Sequence, residues 1–234
     1  MITHKIGLFF SLIAIAICTQ SCHKTTNVKF DPHAPYQSQY RINEPLVIVL
    51  PDYYERVYNR HELSSGFLNK DIYRIYYGMA MAEESEARFA RKFSSIHVLS
   101  NKQYSLITGE DSRTFAFELE EDDYPTPEEI TEMKRELEFA PNFVKESEGY
   151  LIYLTNIDFE YSQDTAYYRF YIEFIDRATD ETLFEGNLKG RGGSNYSVTS
   201  AYNNRVLIQN AVTKAFNNAF LSLDKEINEA LALK

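Results

Sequence analysis

Residues 150–191 read YLIYLTNIDFEYSQDTAYYRFYIEFIDRATDETLFEGNLKGR. Three runs rich in β-branched and aromatic residues, Leu151 to Phe159, Ala166 to Ile175 and Thr182 to Lys189, are separated by turn residues. Ser162-Gln163-Asp164 makes the first turn and Asp176-Arg177-Ala178-Thr179-Asp180 the second. Long strands with short links predict an antiparallel meander. Gly190-Arg191-Gly192-Gly193-Ser194-Asn195 follows, without the GK[ST] ending or the spacing of a nucleotide fingerprint, and reads as a hinge from strand to helix. From Asn203 to Leu231, Ile208, Val212, Ala215, Phe216, Ala219, Phe220, Leu223 and Ile227 trace one helical face. A helix with so wide an apolar stripe needs a sheet to cover.

Upstream, Leu46-Val47-Ile48-Val49-Leu50 is an uninterrupted apolar run, the pattern of a strand buried on both faces. Asp71 to Phe93 reads as helical, with Ile75, Met79, Ala82, Phe89 and Phe93 on one side and a Glu84–Arg88 pair on an exposed face. Ile96 to Leu99 is a short strand, and Thr114 to Leu119 alternates as a half-buried one. Thr126 starts a further helix, with Pro127 at its first position and Glu129 completing a capping box; Pro141 ends it. The fold class is therefore α+β: a mixed sheet with an antiparallel C-terminal meander, packed by two or three helices, one of them long and C-terminal.

The amino terminus carries an address. His4 and Lys5 precede an apolar run from Ile6 to Cys18, followed by Thr19-Gln20-Ser21-Cys22 and polar residues. Thirteen helical residues rise about 20 Å, short of the ~30 Å hydrocarbon core of a bilayer. This is the form of a secretory signal. Ser21 and Thr19 also suit ordinary signal cleavage, but Cys22 at the junction favours a bacterial lipoprotein signal over residues 1–21, with Cys22 the lipidated residue. Stable anchoring takes two or more acyl chains at about 0.8 kcal/mol per buried methylene, which a triacylated cysteine supplies. His23 rather than Asp follows, which resembles an outer-membrane address. Residues 22–44, poor in aliphatics, read as a flexible tether reaching on the order of 25 Å, and residues 45–234 as a single α+β domain.

The chain has 34 acidic against 24 basic residues, a net charge of −10, and the signal would remove one lysine and no acid. Such a chain is a poor match for nucleic acid. It has 18 Tyr, 16 Phe and no Trp, as sheet surfaces do. With Cys18 removed and Cys22 acylated, no thiol is left for a disulfide or for nucleophilic catalysis. His61 and His97 lack metal-site spacing, and there is no HExxH or GxSxG. The acids Glu120 to Asp123 lack the spacing and turn glycine of a calcium loop, and Glu118 with Glu120 is no more than an acidic pair. The reading is a non-enzyme with no cofactor and no metal. Tyr53, Tyr54, Arg56 and Tyr58, after the buried strand, are the candidate interaction face, although a half-buried strand extension is the favoured explanation of them.

Three features carry a family likeness: the early strand Leu46–Leu50 before a helix, the run Glu148-Gly149-Tyr150-Leu151-Ile152-Tyr153-Leu154, and the strand, turn and returning strand from Phe170 to Gly186. Together they resemble a superfamily of small periplasmic lipoprotein domains. It includes auxiliary lipoproteins of ABC-type lipid transporters, activator lipoproteins of cell-wall synthases and the curli-secretion lipoprotein. Asp180 stands where that family's turn has glycine, and aspartate can adopt the left-handed conformation. The resemblance implies a non-enzymatic α+β domain docking onto a larger envelope machine, with no catalytic residues to carry over. The expectation is an envelope lipoprotein, anchored through Cys22 in the outer membrane and facing the periplasm, acting as an interaction module for an envelope protein partner. The alternative is a carrier for an apolar ligand or lipid held between sheet and helix.

Overall fold

The computed structural model describes residues 25–28, 41–52, 60–65, 71–109, 126–128, 131, 135, 138–162, 164–193 and 205–232. Among the described residues, eight strands are β1 (Thr25–Val28), β2 (Leu46–Leu50), β3 (Arg60–Ser65), β4 (Asp71–Tyr76), β5 (Ile96–Ser100), β6 (Tyr150–Ser162), β7 (Thr165–Asp176) and β8 (Glu181–Gly193). The helices are α1 (Tyr77–Phe89), α2 (Asn101–Thr108), α3 (Asn142–Lys145) and α4 (Arg205–Ala232). The larger sheet has the order β5-β2-β6-β7-β8, and a smaller one the order β1-β4-β3. The fold is α+β, as the periodicity predicts.

β2 pairs parallel with both β5 and β6, and all five of its residues are buried. Its even residues Leu46, Ile48 and Leu50 join the main core with Ile152, Leu154, Phe170, Ile172 and Phe174, under the expected face of α4. Its odd residues Val47 and Val49 lie on the opposite side with Leu151, Tyr153 and Ile175, covered by Tyr104 of α2 and Val144 of α3. A strand sandwiched this way has no wet face, which is why it shows no alternation.

The meander runs longer than its apolar residues suggest, and the turn residues Asp164 and Asp180 both take positive φ, 60° and 56°. Its third strand overturns the hinge expected at Gly190 to Gly193, because all four residues belong to β8. A Cβ on Gly190 would lie 1.8 Å from the Ala215 carbonyl oxygen, and one on Gly192 1.9 Å from that of Ala211. These glycines are the floor on which α4 lies, facing Ala211, Ala215 and Ala219. The helical reading of Asp71 to Phe93 is corrected too: 71–76 is a strand in which Tyr73 and Ile75 are buried, a period of two. Helix begins only at Tyr77, and Met79, expected inside, is 42% exposed while Met81 is buried. The Glu84–Arg88 pair exists, at 2.6 Å, but it is buried rather than exposed.

Two further departures have local causes. Thr25–Val28, inside the stretch read as a flexible tether, pairs parallel with Ile72–Ile75; three of its four residues are β-branched, and the tether does not extend to them. α2 is absent from the sequence reading, yet Ser100 and Gln103 form a capping box around its first turn. Of the helix read after Thr126, Pro127, Glu128, Thr131, Arg135 and Glu138 are helical. The strand read at Thr114 to Leu119 and the acids Glu120 to Asp123 lie outside the described residues.

Arg177, in the turn between β7 and β8, ties the second core layer down. Its guanidinium donates to the carbonyls of Phe143 (2.9 Å), Val144 (2.7 Å) and Glu148 (3.2 Å), which end α3, and it lies 5.7 Å from the Tyr104 ring centre. Lysine cannot span three carbonyls in this plane. Arg177→Lys should therefore cost about 2 kcal/mol of stability, with hydrogen exchange at the α3 amides accelerating more than elsewhere.

Candidate interaction surface

Among the described residues, the side of the meander away from α4 is covered only by α2 and α3, at one end. Strand alternation sets its membership: Asp158 and Glu160 from β6, Tyr167, Arg169, Tyr171 and Glu173 from β7, and Glu185, Asn187, Lys189 and Arg191 from β8. Their even-numbered neighbours on β7, Tyr168, Phe170, Ile172 and Phe174, point into the core. This face is therefore polar by exclusion and rigid by attachment.

Arg169 stands half exposed at its centre, 3.4 Å from Asp158 and 3.3 Å from Glu160. Tyr167 is bracketed by two guanidiniums, Arg169 at 5.9 Å and Arg191 at 5.7 Å from the ring centre. Tyr171 donates to Glu185 at 3.3 Å. Aromatic and arginine side chains presented together on a fixed backbone are the groups that contribute most where proteins meet. The arrangement can bind by stacking and by forked hydrogen bonds.

Cys22 and the candidate face Tyr53, Tyr54, Arg56 and Tyr58 lie outside the described residues. Asp52, which opens that stretch, accepts from the Lys102 amide at 2.6 Å and so helps to cap α2. Burial raises its pKa, with the hydrogen bonds working against the rise. His97 is held below its usual pKa by burial, which Glu86 partly opposes. Glu118 and Glu120 fall outside the described residues. Among the described residues, no three His, Cys, Asp or Glu side chains gather as metal ligands, and no helix is long and apolar enough to cross a membrane. The surface on β6–β8 was visible in the sequence as alternation, but sequence alone does not say which of a strand's two faces meets the core.

No family model matches the chain. No curated protein matches it. Among solved structures, the crystal structure of a Xanthomonas campestris protein of the DUF330 family is similar at 8% identity and a TM-score of 0.42, over 87% of this chain and 92% of its own.

Proposed function

We propose that this chain is an envelope lipoprotein, anchored through Cys22 in the outer membrane and facing the periplasm, that works as a non-catalytic docking module. The observation that carries the docking role is the Tyr167 ring between Arg169 and Arg191, on the open face of a sheet whose other side is packed. The signal-like amino terminus and Cys22 supply the anchor in this reading. An apolar-ligand carrier is disfavoured where α4 meets β7, because rings already fill that layer: Tyr168 stacks on Phe216 at 3.9 Å and Phe170 lies 5.8 Å from Phe220.

A photo-crosslinking amino acid at position 167, introduced into the full chain in whole cells, tests the reading. The expected product is one adduct with a different envelope protein. Arg191→Glu should weaken capture about tenfold or more, as loss of an interface arginine does. In the same cells, a clickable fatty acid should label the chain and fail to label Cys22→Ala. No adduct, or an adduct only with a second copy of this chain, would overturn the module. An unlabelled chain would overturn the anchor.

A further inference from the structure

Among the described residues, β8 has a partner on one side only; it is an edge of the larger sheet, with β7 within. Every second residue of such an edge presents its N–H and C=O to whatever lies alongside. The free part of this edge has definite ends. A register shift opposite Phe174 and Ile175 leaves Leu183 as the extra residue of a bulge, so the regular ladder starts at Phe184. At the other end, Asn218 of α4 donates to the Arg191 carbonyl at 2.7 Å. The stretch between these limits, Phe184 to Gly190, is centred on Asn187.

The outward side chains are ordered by sign about that same centre. On the face they share, Glu185 precedes Asn187, whereas Lys189 and Arg191 follow it, and all four are exposed. Charges on an edge strand ordinarily keep other strands away, and that task sets no order of sign. Antiparallel pairing of a strand with its own copy does, because residues equally far from the twofold axis then stand opposite one another.

We infer that β8 is a self-association edge: two copies pair β8 to β8, antiparallel about Asn187, and join their larger sheets into one. Glu185 then faces the partner's Lys189, and Lys189 faces the partner's Glu185, while Asn187 faces its own copy. Glu185 keeps its hydrogen bond from Tyr171 on one oxygen and has the other for the ammonium. Directly opposed charges of opposite sign stabilise a strand pair, and like charges destabilise it. Glu185, Asn187 and Lys189 border the face around Tyr167, but the pairing uses the β8 backbone edge and not the Tyr167 ring, so it does not depend on the docking role.

Cysteine substitution in the full chain reads the register. Directly opposed residues of an antiparallel pair have Cα atoms roughly 4.5–5.5 Å apart, inside the disulfide range. Asn187→Cys should therefore oxidise to a disulfide dimer, as should the double variant Glu185→Cys with Lys189→Cys. Lys189→Cys alone should give no more dimer than the unsubstituted chain. Equilibrium sedimentation of the full chain in detergent gives the second arm. Lys189→Glu should weaken the dimer about tenfold, and adding Glu185→Lys should restore it to within about threefold. A monomer that stays folded with the Asn187→Cys thiol unoxidised would overturn the inference. Equal crosslinking from positions 187 and 189, or a double charge swap that fails to recover, would overturn it too.

Discussion

Gly192→Ala is expected to destabilise the chain by about 3 kcal/mol or more, among the larger effects of a single methyl group. The same change at Gly193 should cost less than about 1 kcal/mol. The two residues are neighbours on one strand and differ only in the side they face. A Cβ on Gly192 meets the Ala211 carbonyl oxygen at 1.9 Å and the Ala215 amide nitrogen at 2.6 Å, both backbone atoms of α4. A Cβ on Gly193 would have Thr165 Oγ1 at 3.8 Å, an ordinary contact. Backbone cannot rotate aside as a long side chain can, so α4 must lift along its length. Lifting it separates Phe216 from Tyr168 and Phe220 from Phe170, rings that interlock across the same interface. Gly190→Ala should behave like Gly192→Ala, since its Cβ would fall 1.8 Å from the Ala215 oxygen. Urea unfolding followed by far-ultraviolet circular dichroism separates the three; a Gly192→Ala chain as stable as Gly193→Ala would refute the close approach.

The second large effect lies at the buried pair Lys92–Asp224. The ammonium and carboxylate are 2.6 Å apart, with side chains 2% and 7% exposed. They join the segment after α1 to α4, beside Arg88, which bridges Glu84 and Asn217 at 2.6 and 2.7 Å. Lys92→Met should cost about 3–5 kcal/mol, because it leaves a carboxylate buried without its counter-charge. Lys92→Met with Asp224→Leu should recover to within about 1 kcal/mol of the parent, since well-packed apolar replacements of such pairs are close to neutral. Burial pushes the Lys92 pKa below its usual 10.5, and the hydrogen bond and charge of Asp224 offset this only in part. The folded chain therefore releases that proton at a lower pH than the unfolded chain. Between the two values the unfolded chain holds more protons, so stability from this group rises with pH up to about the ordinary lysine value. That rise should be missing from the Lys92→Met, Asp224→Leu chain when unfolding free energies are compared from neutral pH upward.

Where one periodicity dominated, the sequence was sufficient. Ile208 through Ile227 on α4 and Leu46 to Leu50 on β2 are buried as their spacing requires. It failed where two periods overlapped: Ile75 fits the helical stripe of α1 and the strand alternation of Tyr73 and Ile75, and the strand won to its N-terminal side. The glycines of β8 misled for a different reason. A glycine that relaxes the backbone and one that admits a neighbouring backbone look alike in sequence, and only the alanines at 211, 215 and 219 hinted at the second. Arg88 was read at an exposed position because charge normally is exposed; its burial depends on Asn217, far along the chain. The Tyr167 surface needed the third dimension for the same reason.

The parallel placing of β2 between β5 and β6 also sets an order of assembly. Leu46 is in register with Tyr150, so the slot for β2 has no second wall until residues more than a hundred positions later have been made. The meander and α4, by contrast, close on near neighbours and can form as a local unit. The strand synthesised early is thus among the last to settle, and until then the chain is held back from completing its sheet. β5 can flank β2 early, but its other neighbour, β6, comes only with the C-terminal half, so the larger sheet cannot close before that half has been made.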